Sequence, residues 1–453
     1  MNTSILSLAG QKIGILGLAK SGVAAANLAV SLGAEVLVSD VRAQLQCPAR
    51  SLLHKKVRRE FGGHSALLLE SDLIIKSPGV HGDIPILVSA RKKKIPVIGE
   101  IEFASRLIRP RRIIAITGTN GKTTATALMG ALCKSAGQHT LVGGNIGTPL
   151  ASLVKKCTPA TTLVLEMSSY QLEDSPTFHP SISAILNITP DHLEHHHTMK
   201  SYSAAKARIF ARQTPRDFCI LNYDDPLCRK LARRCPAQVL FFSRKKLLPR
   251  GVRYIDDGKG RNIVVSVGKR FFRLSADLRL PGMHNVENVL ACVAMAAAAG
   301  LPPTVIERTI ASFRGVEHRI EFVRSVAGVR YFNDSKGTNV DAARVALESF
   351  DDPVWLILGG QDKGSPYAPL RELIKKKVKG ILLIGEASPK IRRELAGCAA
   401  FYECRTLSRA IRYARKHAQK KEVVLLSPAC ASFDQFTDFE DRGRQFKEMV
   451  NSL

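Results

Sequence analysis

The chain opens with short apolar runs that alternate with alanine-rich stretches. "KIGILGL" predicts a buried strand, "SGVAAANLAVSLG" predicts a helix that ends at Gly33, and "EVLVSD" predicts the next strand. "DLIIKSPGV" and "PVIGE" predict two further strands. Strands that alternate with helices are typical of βαβ units, so the first hundred residues predict a parallel sheet.

The same alternation recurs twice farther along the chain. "RIIAITGTNGKTTATALMGALCKSAG" predicts a strand, a glycine loop and a helix, and strands follow in "TTLVLEMSSYQLE" (161–173) and "ISAILNITPDHLEHHHT". Residues 214–280 are strand-rich, and "VLACVAMAAAAGL" (289–301) predicts a buried helix that is too short to span a bilayer. A third series of strands and polar turns starts near Gly315. The pattern therefore predicts an α/β protein with three sheets in series.

Net charge is the unusual bulk property. The 453 residues include 67 Lys or Arg against 39 Asp or Glu, a formal charge of +28. This excess could indicate nucleic-acid binding, but the basic clusters are dispersed and aromatic residues make up only 6%. We therefore favour the interpretation that the basic residues lie on solvated helix faces. A third interpretation is that their positive field concentrates anionic substrates.

Cysteine usage indicates a reducing compartment. The ten cysteines are scattered and form no C-x-x-C pair, which argues against a disulfide framework and against a zinc knuckle. The N-terminal stretch lacks a basic region followed by a long apolar run, so we expect no secretory signal. A cytoplasmic protein is the simplest expectation.

The stretch "AITGTNGKTTAT" (115–126) is similar to an ATP phosphate-binding loop but is shorter. In the pattern G-x-x-x-x-G-K-[ST] the first glycine would fall at Ile116, whereas the nearest glycine is Gly118. Backbone N–H groups at a helix N-terminus favour a polyphosphate. Lys122 can reach the β- and γ-phosphates, and the Thr123 hydroxyl suits Mg²⁺. A nucleotide-phosphate site of unusual spacing is predicted.

Polar residues follow the predicted strands of this second region: Glu166, Asn187, Asp191 and His192. In open α/β sheets, ligands bind at the carboxyl ends of the strands. Glu166 could complete a magnesium shell, because Mg²⁺ prefers hard oxygen ligands. The alternative for Glu166 is an acid that faces solvent at a strand end.

The first glycine turn, "GILGLAKSG", departs from the dinucleotide pattern G-x-G-x-x-G. Gly17 and Gly22 are present, but Ala19 stands where the middle glycine would let the backbone approach a pyrophosphate. Asp40 ends the second strand, where an acid often meets a ribose or a base. The turn favours a nucleotide site over a nicotinamide site, and a purely structural turn remains the alternative.

Four of the six residues 192–197 are histidines. Such density is typical of zinc sites, but no matching Cys or His motif occurs elsewhere. We expect His195–His197 to be surface residues and separate His192 from them, because it adjoins Asp191 at a strand end. Lys206, in "SYSAAKARIF", is by pattern alone an ordinary solvated helix lysine.

Together these motifs resemble the Mur ligases, in the same order and over nearly the whole chain. The resemblance rests on "TGTNGKTT", "GGNIG", "EMSSYQLE", "NITPDHLEHH", "AAKARIF", "EHRIEF", "NDSKGTN", "LGGQDKG" and "SPACASFDQF". The shortened loop is that family's form, and "LSPACASFDQF" indicates the members that add D-glutamate. The resemblance implies three domains: a Rossmann-like UDP-substrate-binding domain (1–103), a central P-loop ATPase-like domain (104–314) and a Rossmann-like domain for the amino acid (315–453).

The resemblance also implies roles for individual residues. Lys122, His192 and Lys206 would be catalytic, with Lys206 carbamylated. One magnesium ion would be held by Thr123 and Glu166, and a second by His192 and Lys206. ATP would be bound by Gly118, Thr119, Asn120, Gly121, Lys122, Thr123, Thr124, Asn288, Arg319, Asp334 and Lys336. The UDP substrate would be bound by Ser21, Asp40, Arg42, Ser77, Gly79 and Asn145, and D-glutamate by Thr338, Lys363, Ser432 and Phe439.

The expected activity is an ATP-dependent amide ligation in peptidoglycan biosynthesis. Its substrates would be UDP-N-acetylmuramoyl-L-alanine, D-glutamate and ATP, and its cofactor would be two Mg²⁺ ions. The enzyme would be a monomer without a membrane span. The alternatives are another ligase of the superfamily, such as a different muramyl ligase or a folylpolyglutamate synthetase, and a nucleic-acid-binding ATPase. The chain departs from the family pattern in three features: Lys20 in the first glycine turn, the histidine run and the strong basicity.

Overall fold

A computed structural model of the chain describes residues 7–44, 47–145, 147–258, 260–280, 282–362 and 364–453. The predicted D-glutamate contact at Lys363 therefore lies outside the described residues. The chain divides into two compact units. The first comprises Met1–Asp277 and Glu287–Ala311, and the second comprises Leu278–Val286 and Ser312–Leu453.

The first sheet is parallel throughout, as predicted, with strand order β3-β2-β1-β4-β5. Its strands and helices are β1 (Lys12–Leu16), α1 (Lys20–Ser31), β2 (Glu35–Asp40), β3 (Arg58–Phe61), β4 (Leu73–Lys76), α2 (Pro85–Lys92), β5 (Val97–Gly99) and α3 (Glu100–Arg106). Because β1 is central, the glycine turn after it lies between the carboxyl ends of β2 and β4, which pair with β1 on either side.

The second sheet has nine strands in the order β14-β13-β12-β11-β10-β9-β6-β8-β7. Strands β6 to β12 are parallel, whereas β12, β13 and β14 form an antiparallel meander at one edge. The elements are β6 (Arg112–Thr117), α4 (Lys122–Ser135), β7 (Thr140–Gly144), β8 (Thr162–Glu166), α5 (Ser169–Glu173), β9 (Ile182–Ile185), α6 (Leu193–His196), α7 (Met199–Ala207), β10 (Phe218–Asn222), α8 (Pro226–Ala232), β11 (Gln238–Ser243), β12 (Gly251–Asp256), β13 (Arg261–Val267), β14 (Arg270–Ser275), α9 (Met283–Ala298) and α10 (Pro303–Ser312).

The third sheet has the order β15-β16-β20-β17-β18-β19, in which only β15 and β16 pair antiparallel. Its elements are β15 (Glu321–Val326), β16 (Val329–Asn333), α11 (Val340–Glu348), β17 (Val354–Gly359), α12 (Arg371–Lys377), β18 (Val378–Ile384), α13 (Ser388–Glu394), β19 (Ala400–Arg405), α14 (Leu407–His417), β20 (Val423–Leu426) and α15 (Phe439–Asn451). Short 3₁₀ helices lie at Pro48–Leu52, Ala66–Glu70, Leu150–Ser152, Val154–Lys156, Arg208–Phe210 and Ala368–Leu370.

The central strands carry the cores, because parallel strands are covered on both faces. All residues of β8, β9, β17 and β20 are buried. Helix α9 confirms the predicted alanine-rich buried helix, since residues 289–297 are all buried. Of the helices in the described parts of the chain, none is both long enough and apolar enough to cross a membrane.

Two predictions about segments need comment. The predicted strand 161–173 ends at Glu166, because the Ser168 side chain and Gln171 form a capping box that starts α5. Each of the three sheets lies inside one of the predicted segments 1–103, 104–314 and 315–453. The compact units number two, however, so those domain boundaries remain predictions.

Candidate active site

The glycine loop at 118–121 joins β6 to α4 as the sequence predicted. Gly121 precedes the first residue of α4 with a left-handed φ of 83°. A Cβ at Gly121 would lie 2.1 Å from Asn288 Oδ1, so glycine is required both for the turn and for the approach of Asn288. The loop therefore brings the predicted ATP ligand Asn288 against the N-terminus of α4.

The side chain of Asn187 fixes the shape of this loop. Its Oδ1 accepts hydrogen bonds from the backbone N–H groups of Thr119 (3.1 Å) and Asn120 (2.8 Å), and its Nδ2 donates to Asn120 O (3.1 Å). The Thr119 hydroxyl donates to Thr189 O (3.1 Å) and lies 3.2 Å from the Tyr202 hydroxyl. Asn187, noted in the sequence only as a polar strand end, holds the loop in place.

One backbone oxygen of the loop receives two amines. Lys122 Nζ donates to Gly118 O (2.9 Å) and to Thr119 O (2.7 Å), and Lys206 Nζ donates to the same Gly118 O (2.8 Å). The sequence alone gave no reason to connect Lys206, 88 residues farther along, with this loop. The structure thus brings two of the predicted catalytic residues to one carbonyl.

Lys206 is not the solvated helix lysine that its pattern indicates. The residue is 1% exposed, and its Nζ lies 4.5 Å from the centroid of the Tyr202 ring. Burial lowers the pKa of Lys206 well below its usual range, and the charge of Lys122 lowers it further. The folded chain therefore favours a neutral amine at this position.

A cleft of about 400 Å³ adjoins these lysines. Five predicted site residues line it: Gly79, Lys122, Asn145, His192 and Lys206. The remaining lining residues are Pro78, Val80, His81, Ser168, Ser169, Tyr170, His195 and Tyr202. Residues predicted separately for substrate, ATP and metal thus surround one cavity within the first unit.

Glu166 provides an acceptor that the protein leaves unused. The residue is 2% exposed, and its Oε1 accepts a hydrogen bond from Asn145 Nδ2 (2.8 Å). Its Oε2 is buried without a hydrogen-bond partner among the described residues. A buried carboxylate oxygen of this kind is costly unless a cation or donor meets it, so the residues present fit a magnesium ion.

The histidine run differs from the expectation of surface residues. His196 is buried and His195 half-buried, and only His197 of these three is exposed. Tyr170 brings its ring to within 4.4 Å of the His195 ring, between centroids, and packs near those of His192 and His196. His192 itself has a left-handed φ of 53°. Its Nε2 lies 3.5 Å from Asp191 Oδ2, and its Nδ1 lies 3.5 Å from Glu194 Oε1.

Several of the residues predicted to bind the UDP substrate lie near the first glycine turn. Asp40 Oδ2 accepts hydrogen bonds from the Leu18 N–H and from Arg42 Nη2, each at 2.7 Å, and Ser77 Oγ donates to Gly17 O (2.9 Å). Burial alone would raise the pKa of Asp40, but the hydrogen bonds from Arg42 and Leu18 outweigh it and lower the pKa to about 2. Ser21 lies half-buried in the first turn of α1.

The second unit contains a cluster of predicted nucleotide and amino-acid ligands. Arg319 and Asp334 form an ion pair (3.6 Å), and Asp334 also accepts from Ser427 Oγ (2.7 Å). Burial raises the pKa of Asp334, which Arg319 partly offsets. Lys336 Nζ lies 5.9 Å from the centroid of the Phe439 ring, and the backbone N–H of Thr338 donates to Lys336 O.

Sequence reasoning missed Arg442, which holds this cluster together. The residue is fully buried and donates to Ser335 Oγ (2.9 Å) and Ser335 O (2.9 Å) and to the backbone carbonyls of Cys430 and Ala431. It therefore links "NDSK" to "SPACAS", beside the predicted ligand Ser432. Arg442 lies in a helix that contains both acidic and basic residues, so nothing in the sequence of that helix distinguishes it from an exposed arginine.

Comparison with known proteins identifies three matching family models along the chain. Family models match residues 11–99 (Mur ligase MurD-like, N-terminal domain), 116–296 (Mur ligase middle domain) and 318–430 (Mur ligase, glutamate ligase domain). The chain is 48% identical to the UDP-N-acetylmuramoylalanine--D-glutamate ligase of Koribacter versatilis (strain Ellin345), with 99% of each chain covered. It is 43% identical to the protein of the same name from Elusimicrobium minutum (strain Pei191), with 98% of each covered.

Among solved structures, the chain is similar in fold to the UDP-N-acetylmuramate-alanine ligase MurC of Thermotoga maritima. The TM-score is 0.61 at 22% identity, with 98% of this chain and 99% of that chain covered. At this identity the likeness concerns the fold.

Proposed function

The chain belongs to the Mur ligase family, and on that premise we propose that it joins D-glutamate to UDP-N-acetylmuramoyl-L-alanine with conversion of ATP to ADP and phosphate. The names of full-length relatives at 40–48% identity support the choice of both substrates. The reaction is a step of peptidoglycan biosynthesis.

The observation that carries the proposal is the charge arrangement around Gly118 O. Two lysines from separate helices meet there, and Lys122, Asn145, His192 and Lys206 line the adjoining cleft. A site for phosphoryl transfer to a carboxylate must bring anions together, and a cation such as Lys122 reduces that repulsion, while the buried amine of Lys206 is proposed for metal binding after carbamylation.

The first step activates the substrate carboxylate. One carboxylate oxygen attacks the γ-phosphorus of ATP, the bond from that phosphorus to the bridging oxygen of ADP breaks, and an acyl phosphate forms. Lys122, at the first position of α4, moves from the loop carbonyls to the phosphoryl oxygens and screens their charge. Backbone N–H groups at the N-terminus of α4 contribute to the same field.

The second step forms the amide. The neutral amine of D-glutamate attacks the acyl carbon, and phosphate leaves with the oxygen that was phosphorylated. Of the three protons on the substrate ammonium, one stays on the amide and two pass to phosphate and solvent. We propose Thr338, Lys363, Ser432 and Phe439 as the residues that face D-glutamate, and Asn288, Arg319, Asp334 and Lys336 for the nucleotide.

Magnesium, when bound, supplies electrostatic stabilisation of the charge on the transferred phosphoryl group. Thr123 and Glu166 are proposed for one ion, and the buried Oε2 of Glu166, which has no hydrogen-bond partner in the described parts of the chain, supports that assignment. His192 and a carbamylated Lys206 are proposed for a second ion. Both lie on the wall of the same cleft.

Carbamylation of Lys206 is chemically consistent with its surroundings. CO₂ reacts only with the neutral amine, and burial beside Lys122 favours that form. The product keeps one N–H, which can still donate to Gly118 O, and gains two hard oxygens of the kind that Mg²⁺ prefers.

The UDP moiety is proposed to contact Ser21, Asp40, Arg42, Ser77, Gly79 and Asn145. We also propose a monomer in the cytoplasm. All ten cysteines are free, which supports a reducing compartment.

The test is ADP release by the purified chain with UDP-N-acetylmuramoyl-L-alanine and each of three amines. D-Glutamate should give ADP and a product heavier by one glutamyl residue, whereas L-lysine and meso-diaminopimelate should give neither. Preference for either of those amines would refute the acceptor assignment. ATP hydrolysis that is stimulated by polynucleotide, and not by the two substrates, would refute the ligase assignment and favour a nucleic-acid-binding ATPase.

A further inference from the structure

Three metal-ligating side chains meet beside the cleft and have no part in the proposed reaction. Glu173 ends α5, and His195 and His196 end α6. His195 Nε2 lies 2.8 Å from Glu173 Oε2, and His196 Nδ1 lies 3.3 Å from Glu173 Oε1. One ligand atom from each of the three residues lies within 4.8 Å of the others.

His196 provides the strongest indication of a ligand. Its side chain is 0% exposed. Its Nε2 shares a hydrogen bond with Ser169 Oγ (2.9 Å), while its Nδ1 is buried without a hydrogen-bond partner among the described residues. A buried ring nitrogen that faces a carboxylate without a hydrogen bond is costly, and a cation between the two atoms removes that cost.

The residues on either side of α6 have an unfavourable backbone conformation. His192 and His197 flank α6 with φ values of 53° and 61°, in the left-handed region that residues other than glycine rarely adopt. Such a conformation is strained for a residue with a side chain, and positions of this kind are typical of functional sites. On the other side, the Ser168–Gln171 capping box fixes the start of α5 and so the position of Glu173.

The donor set selects the class of metal. Two imidazole nitrogens and one carboxylate oxygen suit Zn²⁺ and its neighbours in the first transition row, whereas Mg²⁺ prefers oxygen ligands. Tetrahedral bonds of about 2.0–2.2 Å bring ligand atoms to roughly 3.4 Å from one another, so the three side chains need only small rotations.

We propose that Glu173, His195 and His196 bind a transition-metal dication such as Zn²⁺, at a site distinct from the magnesium sites. The fourth position is open to water or to His81, whose ring centroid is 5.4 Å from that of His195. Bound metal ties α5 to α6, and α6 directly follows the segment that carries Asp191 and His192. The ion is therefore expected to stabilise the wall of the cleft.

The experiment uses the full chain after removal of metals with a chelator. Zn²⁺ affinity is measured by calorimetry, Co²⁺ is added as a spectroscopic probe of coordination, and thermal unfolding is followed with and without Zn²⁺. We expect one tight Zn²⁺ site that excess Mg²⁺ does not displace, cobalt absorption of a four-coordinate ion, and a raised melting temperature.

Two variants and one matched control locate the metal. E173Q and H195N should weaken Zn²⁺ binding at least about tenfold and abolish the thermal shift, while H197N, an exposed histidine of the same run, should behave as the original chain. H195N is the decisive variant, because H196N removes a fully buried ring and its failure to fold would not test the site.

Two results would overturn the proposal. One is Zn²⁺ affinity that is unchanged in folded E173Q and H195N proteins, which would leave Glu173 and the two histidines as an ion-paired cluster only. The other is loss of the tight site in H192N with E173Q unaffected, which would move the metal to the catalytic cluster. Either result leaves the ligase activity to be judged separately, because ADP release with D-glutamate is measured without added zinc.

Discussion

Two turns of the first unit share one architecture but differ in the charge of the side chains bonded to them. Each joins a central parallel strand to a helix through a glycine, at Gly17 and at Gly118, and each helix begins with a lysine, Lys20 in α1 and Lys122 in α4. At the first turn, Gly17 O accepts from the neutral Ser77 hydroxyl. At the second, Gly118 O accepts from two amines.

The backbone N–H groups of the two turns also donate to side chains of different charge. Leu18 N, after the first glycine, donates to the carboxylate of Asp40, whereas Thr119 N, after the second, donates to the neutral side chain of Asn187. The Asp40 carboxylate on the first amide, which also pairs with Arg42, suits a base or a ribose hydroxyl, while the Lys122 cation at the second turn attracts phosphate. Side chains from distant strands and helices, and not the glycine spacing, therefore decide what each turn can bind.

The largest contrast should come from the two lysines that begin the helices. Lys122→Ala should lower ADP formation by at least about a thousandfold, because it removes the cation that we propose to contact the transferred phosphoryl group. Lys20→Ala, an exposed lysine at the equivalent helix position, should leave turnover within about twofold. Circular dichroism and melting temperature check that both variants fold. Similar losses in both variants would mean that the two turns are not functionally different.

The second lysine at Gly118 O distinguishes the turns further. Lys206→Ala should lose about a hundredfold or more in turnover, and a short carboxylic acid that fits the space left by the side chain should restore part of it. Lys200→Ala, an exposed lysine on the same helix, is the control. If activity is lost but no carboxylic acid restores it, and a density map with magnesium and substrates bound shows an unmodified amine, the carbamate proposal fails.

Glycine substitutions should separate stability from function. At Gly22 a Cβ would lie 2.1 Å from the backbone oxygen of Gly17, so Gly22→Ala should cost about 1–3 kcal/mol of unfolding free energy. Gly121→Ala meets a side-chain atom of Asn288 and a left-handed φ, so it should cost about 1–2 kcal/mol and also impair ATP binding. Gly63→Ala, in open space, is the control. Urea unfolding measures the stability of each variant, and the KM for ATP measures its ATP binding. Equal changes in KM for Gly22→Ala and Gly121→Ala would contradict the prediction that only the second turn binds ATP.

The smallest expected effect is the pH dependence contributed by Asp40. Its pKa in the folded chain, about 2, lies below the usual 3.8, so its ionised form stabilises the fold above pH 3.8 and this contribution is lost as the pH falls through about 2. Asp40→Asn should cost about 1–2 kcal/mol at neutral pH and flatten the stability curve between pH 4 and 2. Chemical unfolding across that range tests this. A curve for Asp40→Asn parallel to that of the original chain would show that Asp40 is not the titrating group.

Local patterns were sufficient to predict most of the fold. Buried strands such as β6 and β17 are continuous apolar runs, and α9 is an alanine-rich stretch that ends before Gly300, so short windows contain the information. The capping box that ends the predicted strand at Glu166 is also local, since it lies within "SSYQ". The number of compact units was not predictable, because it depends on contacts between elements far apart in sequence.

The site was predictable where the chemistry is local and not where it is long-range. Lys122 and Thr123 follow from the loop itself. Lys206 has the pattern of a solvated lysine, and only its burial against Gly118, 88 residues away, distinguishes it. The burial of His196 and the contacts of Arg442 with Ser335 likewise arise from chain segments that no short window compares.

The oxygen shared by Lys122 and Lys206 implies a coupling between two small molecules. Lys122 and Lys206 both donate to Gly118 O. We expect nucleotide phosphate to draw Lys122 away from this oxygen and so lessen the repulsion at Lys206, and we expect a carbamate at Lys206 to change the field in which the phosphate binds. With Lys206 carbamylated as proposed, dissolved CO₂ and ATP must alter each other's apparent affinity by the same factor, as thermodynamic reciprocity requires. The affinity for ATP measured in CO₂-free buffer and in bicarbonate buffer should then differ.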